Sequence, residues 1–111
     1  MVPMAATAPA EDIPCTTPAH IVKTPGYMQG RARIKGSRIR VMDLIGYWKM
    51  DGIGPEQLAD DFPWVPRAAV YAAFAYYFDH VQEIEDSYVE DDAFAEDFKR
   101  LHPDIVRELD P

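Results

Sequence analysis

The segment Gly30-Arg31-Ala32-Arg33-Ile34-Lys35-Gly36-Ser37-Arg38-Ile39-Arg40-Val41 decides how this chain folds. Cations alternate with small and β-branched residues on both sides of the Gly-Ser pair, which predicts a strand, a turn and a second strand that leads into a helix. The segment holds five cations in a chain whose formal net charge is -8. Such a concentration of positive charge is typical of a surface that contacts phosphate groups.

Two interpretations of these cations remain open. Strand alternation places Arg38 and Arg40 on one face, available together to a phosphate backbone. In the other interpretation the charges guard an edge strand or pair with the acidic tail of the chain itself. The candidate DNA-binding residues are Arg31, Arg33, Lys35, Arg38 and Arg40, together with Arg67 and, one helical turn later, Tyr71.

The residues after this segment predict three helices. Asp43 is a suitable N-cap for the first helix, and Gly52 ends it. Pro55 suits the first position of a short second helix, and Pro66 begins a third that continues through an alanine-rich run. The chain therefore predicts a mainly α fold, in which residues 20–78 form short β-strands followed by a tri-helical helix-turn-helix.

The residues before the segment predict little regular structure. Residues 1–19 contain four prolines among alanine and threonine, with little apolar bulk, so we expect a disordered N-terminal arm. The β-branched run at residues 20–24 and the alternating run at residues 32–35 predict the short strands. Cys15 is the only cysteine, so no intramolecular disulfide forms and no Cys/His spacing offers a zinc site.

Apolar residues recur along the third predicted helix at alternating spacings of four and three positions. They form a heptad seam made of Val70, Phe74, Tyr77, Val81 and Ile84, which continues to Tyr88. One interpretation is a long helix whose first half packs on the two preceding helices. The other is a homodimer joined through this seam.

The C-terminal residues 79–111 are strongly acidic, with nine carboxylates and no lysine or arginine between Asp79 and Phe98. Because hydrophobic residues recur there at helix-like intervals, we expect an acidic helical extension that binds a partner. A solvated helix face and a DNA-mimicking tail are the alternatives. The candidate partner-binding residues are Phe94, Phe98, Lys99, Arg100, Leu101, Ile105 and Arg107.

The sequence does not favour catalysis, a metal or a cofactor. His20, His80 and His102 are scattered, and the chain has neither a nucleophile motif nor a glycine-rich phosphate loop. Residues 79–98 lack the turn glycine of a carboxylate metal loop. No secretion signal or long apolar run is present, so we expect a cytoplasmic, non-enzymatic protein that does not enter a membrane.

Residues 21 to about 78 contain a series of short motifs, which are Gly30, Arg33, Gly36-Ser37-Arg38-Ile39, Val41, Asp51-Gly52, Pro55-Glu56, Asp61-Phe62-Pro63 and Ala72-Ala73-Phe74-Ala75-Tyr76. In these residues and their order, the segment resembles the bacterial domain-of-unknown-function 433 family. The resemblance implies a homeodomain-like helix-turn-helix that is usually dimeric and binds DNA. Many members are antitoxins of type II toxin-antitoxin pairs, often beside a toxin with a PIN-type acidic active site.

The chain departs from the family pattern at three places. Ser37 replaces the usual threonine, Arg31-Ala32 stands where Lys-Pro is common, and Arg67-Ala68 replaces an acidic pair. The last change makes the third predicted helix more basic and favours DNA contact.

The sequence hypothesis is an antitoxin that binds its operator and neutralises a PIN-type ribonuclease toxin through its tail. Lys99, Arg100 and Arg107, the only cations of the tail, suit the carboxylate cluster of such a toxin. One alternative is an interaction module without DNA binding that acts as a subunit of a larger assembly. The other is a stand-alone repressor that senses a small ligand.

Overall fold

The computed structural model describes residues 11–103, which are mainly helical and carry one small antiparallel sheet, as predicted. The chain divides into two compact units at the peptide between Asp79 and His80. Among the described residues, the first unit contains the sheet and three α-helices, and the second contains one long helix. None of the helices within residues 11–103 is both long enough and apolar enough to cross a membrane.

The sheet has three short strands in the order β1, β2, β3, which are Ile13–Pro14, Ile21–Lys23 and Arg33–Ile34. Both pairings are antiparallel, and Ile21 lies opposite Ile34. These two isoleucines are almost fully buried. Arg40 adds only an isolated bridge to Arg33, so the second strand predicted after the turn does not form.

The predicted disorder of residues 1–19 is wrong for the described part of that segment. Ile13–Pro14 pairs with β2, and the Thr16 hydroxyl accepts the backbone N–H groups of His20 and Ile21. Residues 1–10 of the predicted arm lie outside the described residues. Hydrogen bonds hold this strand in place, so a prediction based on the low apolar content of the segment missed it.

Helix α1 is Val41–Asp51 and begins three residues earlier than predicted, with Arg40 as its N-cap. Asp43 is therefore not the N-cap. Its carboxylate accepts the Arg40 backbone N–H at 2.9 Å and pairs with the Arg40 guanidinium at 2.8 Å. Gly52 ends the helix in the left-handed conformation, φ 71°, as predicted.

Two further helices complete the first unit. Helix α2 is Pro55–Asp61, with the predicted proline in its first turn, and helix α3 is Arg67–Asp79. Helix α3 packs against α1, α2 and strands β2 and β3. Ala69 and Ala73 are almost fully buried, which allows close approach of the neighbouring elements.

Helix α4 is Val81–Leu101 and lies in the second unit. The predicted continuous heptad helix is wrong, because His80 has φ -137° and ψ 45° and interrupts it. The proposed dimer seam is interrupted at the same residue. Its first three members, which are Val70, Phe74 and Tyr77, are buried in the first unit and cannot also form a seam with a second copy, whereas Val81 and Ile84 belong to α4.

Asp43→Ala should lower the free energy of unfolding by about 1 kcal/mol, because it removes the acceptor of the first turn of α1. Asp51→Ala is the matched control, since Asp51 is exposed at the negative end of the same helix. We expect it to change stability by less than about 0.5 kcal/mol. Urea unfolding followed by far-ultraviolet circular dichroism measures both, and equal losses would contradict the assigned helix start.

Candidate nucleic-acid interface and partner-binding helix

Lys35 and Arg38 are the exposed cations of the basic segment. Both lie in the turn after β3, and neither forms an ion pair with any residue between 11 and 103. Arg31 is half-buried, and its guanidinium lies 3.5 Å from the Met42 sulfur. Phosphate contact from this segment therefore depends first on Lys35 and Arg38.

Arg33 is not a surface cation, because it is only 6% exposed. Its guanidinium donates to the Thr24 hydroxyl at 2.8 Å, to the Asp12 carboxylate at 3.2 Å and to the Ser37 carbonyl at 3.1 Å. It also lies 4.8 Å from the centre of the Tyr27 ring. The prediction that Arg33 contacts DNA is therefore wrong, since its charge is used inside the protein.

Arg40 and Arg67 are both paired with aspartates. Arg40 makes the ion pair with Asp43 that begins α1. Arg67 pairs with Asp60 of α2, and the hydrogen bond to that carboxylate raises the pKa of Arg67 above its ordinary value. Tyr71 is 44% exposed on α3, so its ring is accessible from solvent.

An open groove of about 680 Å³ lies beside the exposed Arg38. It is lined by residues 36–39 of the turn, by Arg33 and by the rings of Tyr27 and Trp64. Trp64 is 69% exposed in the connection between α2 and α3. Neither ring was among the sequence candidates. The available signal was a tryptophan between two prolines in a connection too short to bury it.

The turn that presents Arg38 is held by several hydrogen bonds. The Ser37 hydroxyl donates to the Ile34 carbonyl at 2.8 Å and accepts the Ile39 N–H at 3.1 Å. The Ser37 N–H also donates to the Ile34 carbonyl, and Gly36 has φ 77°. A β-branched or bulky residue is strained at such a φ, which explains glycine at this position.

Helix α4 exposes an apolar stripe, which consists of Phe94, Phe98 and Leu101. Spacings of four and three residues place them on one side of the helix. Phe94 and Leu101 are 72% and 64% exposed, and the Phe98 ring contacts the His102 ring. Large hydrophobic side chains left in water along one helix face are typical of an interaction surface.

The tail cations pair within α4. Lys99 lies 3.8 Å from the Glu96 carboxylate, and Arg100 donates to Asp97 at 3.1 Å. Exposed pairs of this spacing contribute little stability, so both cations are free to exchange partners. Ile105 and Arg107 lie outside the described residues. Within residues 11–103, no group of three or more His, Cys, Asp or Glu side chains is placed to hold a metal ion.

Arg33→Met should lower the free energy of unfolding by about 3 kcal/mol, because it leaves Asp12, Thr24 and the Ser37 carbonyl without their donor. The value lies at the low end for a buried pair, since the Asp12 side chain is 36% exposed. Lys35→Met, which removes the same charge from the surface, should change stability by less than about 0.5 kcal/mol. Urea unfolding measures both, and similar effects would show that Arg33 has no structural role.

Comparison with known proteins gives one family. No curated protein and no solved structure matches the chain. A family model described as a protein of unknown function, DUF433, matches residues 21–77. The match covers β2, β3 and the first three helices almost completely, and it includes the turn that presents Arg38. Because it spans half of the chain, this protein belongs to the DUF433 family.

Proposed function

We propose that this chain is the antitoxin of a type II toxin-antitoxin pair. In this proposal α4 binds and neutralises a PIN-type ribonuclease toxin, and the first unit binds operator DNA. The observation that carries the proposal is the apolar stripe of α4, surrounded by carboxylates. The resemblance of residues 21–78 to a family with many antitoxins supports the same function.

The apolar stripe supplies the affinity in this proposal. Covering Phe94, Phe98 and Leu101 removes three large side chains from water, each worth about 1.5–3 kcal/mol when fully buried. Part of each side chain is already covered in α4, so the gain is smaller than that sum. Anchors of this kind concentrate binding energy in a few residues of an interface.

The charges of α4 set how it meets the toxin. The carboxylates of the helix repel a toxin site that is itself acidic, so they lie away from it. Lys99 and Arg100 leave Glu96 and Asp97 to pair with the toxin carboxylates, at little cost because the original pairs are exposed. Arg107 extends this set in the sequence hypothesis.

Operator binding is assigned to a homeodomain-like helix-turn-helix formed by α1, α2 and α3, with α3 as the recognition helix. Lys35 and Arg38 contact phosphates beside it, and Tyr71 faces the DNA from α3. Arg67 joins them when phosphate replaces Asp60 as its partner. A homodimer would present two such units, through a surface other than the buried Val70 seam.

Phe94→Ser should weaken toxin binding by at least about tenfold, because it removes the most exposed anchor of α4. Purification of the tagged chain from its native host, followed by mass spectrometry, should identify a small nuclease-like protein in near-equal amount. Its affinity for the full-length variants is then measured by isothermal titration, and its nuclease activity by cleavage of RNA.

Val89→Ser is the matched control for Phe94→Ser. Val89 is 66% exposed and lies nine residues before Phe98, which places it about 180° around the helix from Phe98 and at least about 120° from each residue of the stripe. We expect affinity within about twofold of the parent chain, because Val89 is outside the stripe. Recovery of the chain with no stoichiometric partner, or equal losses in both variants, would contradict the proposal.

A plot of the logarithm of the operator affinity against the logarithm of the salt concentration should have a slope of roughly -3 per protomer. This value counts Lys35, Arg38 and Arg67, which are the three cations that the proposal places on phosphates, and it leaves out the buried Arg33 and the Arg40 that pairs with Asp43. Filter binding to the duplex upstream of the coding sequence measures it between low and physiological salt. Arg38→Gln should reduce the slope by about 1, and saturable binding without salt dependence would exclude phosphate contact.

The second candidate function is an interaction module that binds no DNA. One observation favours it: apart from Arg67, the exposed α3 positions include Ala68, Tyr71, Ala75 and Phe78, which offer few groups that read base edges. The net charge of -8 also repels nucleic acid at long range. Such a module shows no saturable duplex binding, whereas a stand-alone repressor binds DNA and recovers no protein partner.

A further inference from the structure

We infer that the groove beside Arg38 binds a nucleotide whose base is unpaired, with the base against the exposed aromatic rings and a phosphate on the Arg38 guanidinium. The inference concerns the same surface as the DNA-binding half of the proposed function. It requires neither a duplex nor a toxin. The shared chemistry is a planar base with an attached phosphate, supplied by a single strand or by a free nucleotide.

Neighbouring side chains contact both aromatic rings of the groove and restrict their movement. Trp64 makes an edge contact with Phe62, with ring centres 5.3 Å apart and planes 81° apart, and the indole is still 69% exposed. The Tyr27 ring is partly exposed and carries the Arg33 guanidinium 4.8 Å from its centre. Exposed rings that are fixed by neighbours lose little freedom when a base stacks on them.

The charge of the groove favours an anion. No residue that lines it in the described part of the chain is acidic, although the protein has 19 carboxylate side chains. Asp12 forms an ion pair with Arg33 and compensates its charge. Among the described lining residues, the exposed Arg38 therefore carries the positive charge that is left uncompensated. A guanidinium fork binds phosphate oxygens in pairs, and Lys35 lies three residues away on the same turn.

The groove is lined by flat aromatic rings, which favours an unpaired base over a duplex. Its volume of about 680 Å³ falls within the usual range of small-molecule sites. A base stacked inside a duplex presents only its edge, whereas an unpaired base offers the flat face that these rings contact. An acidic peptide would pair with the Arg38 guanidinium, but it lacks the extended flat surface that stacks on the aromatic rings.

The test uses the full chain and a fluorescein-labelled single-stranded oligodeoxythymidine of about ten nucleotides, with binding followed by fluorescence anisotropy at low salt. We expect saturable binding. Trp64→Leu and Arg38→Gln should each weaken it by about fivefold or more. Both side chains are exposed, and circular dichroism checks that each variant keeps its helices.

Lys49→Gln is the control for Arg38→Gln, because it removes one positive charge from an exposed α1 residue that does not line the groove. We expect its affinity within about twofold of the parent chain. Losses equal to that of Arg38→Gln would show a nonspecific charge effect and overturn the inference. So would oligonucleotide binding that neither groove variant weakens.

Competitors separate the sources of the ligand. Displacement of the probe by thymidine monophosphate, or by unlabelled single strand alone, supports the inference. The first result assigns the groove to a free nucleotide and the second to a single strand.

Binding of duplex with no binding of single strand overturns the inference and leaves the proposed function intact. Single-strand binding without operator binding supports the inference and removes the DNA-binding half of that function. Binding of polyglutamate alone, lost in Arg38→Gln, assigns the groove to an acidic protein and overturns the inference.

Discussion

The buried Arg33 guanidinium is the interaction on which the first unit depends. It joins Asp12 beside β1, Thr24 after β2 and the Ser37 carbonyl of the turn after β3. Its Nε lies buried without a hydrogen-bond partner among the described residues, so the site is not ideally satisfied even with these contacts. Truncation of such a side chain leaves several polar partners without a hydrogen-bond donor from either water or protein. One side chain can therefore hold three segments of a small sheet together.

The basic segment therefore divides its cations between structure and surface. Arg33 holds the sheet, and Arg40 starts α1 with Asp43. Lys35 and Arg38 remain at the surface of the turn. The same acidic protein thus compensates some of its cations locally and leaves a small positive area on an otherwise negative molecule.

Local signals were the most predictable part of the structure. Gly52 and Pro55 end and begin helices because backbone conformation is set by the residue itself, and both were correctly assigned from the sequence. The burial of Arg33 was not predictable, because it depends on Asp12, which is distant in the sequence. The interruption at His80 was also missed, since the apolar spacing continues across it and only the backbone conformation shows it. The groove was not predicted, because Arg38 and Trp64 come from segments that are separate in the sequence.

The division of the chain between Asp79 and His80 has an evolutionary consequence. The family match ends at residue 77, two residues before that division, so the shared family module and the first compact unit end at nearly the same place, although β1 precedes the match. The residues that line the groove lie in one unit and the apolar stripe lies in the other. Recombination at this junction would therefore join the family module to a different C-terminal helix without cutting through the module itself.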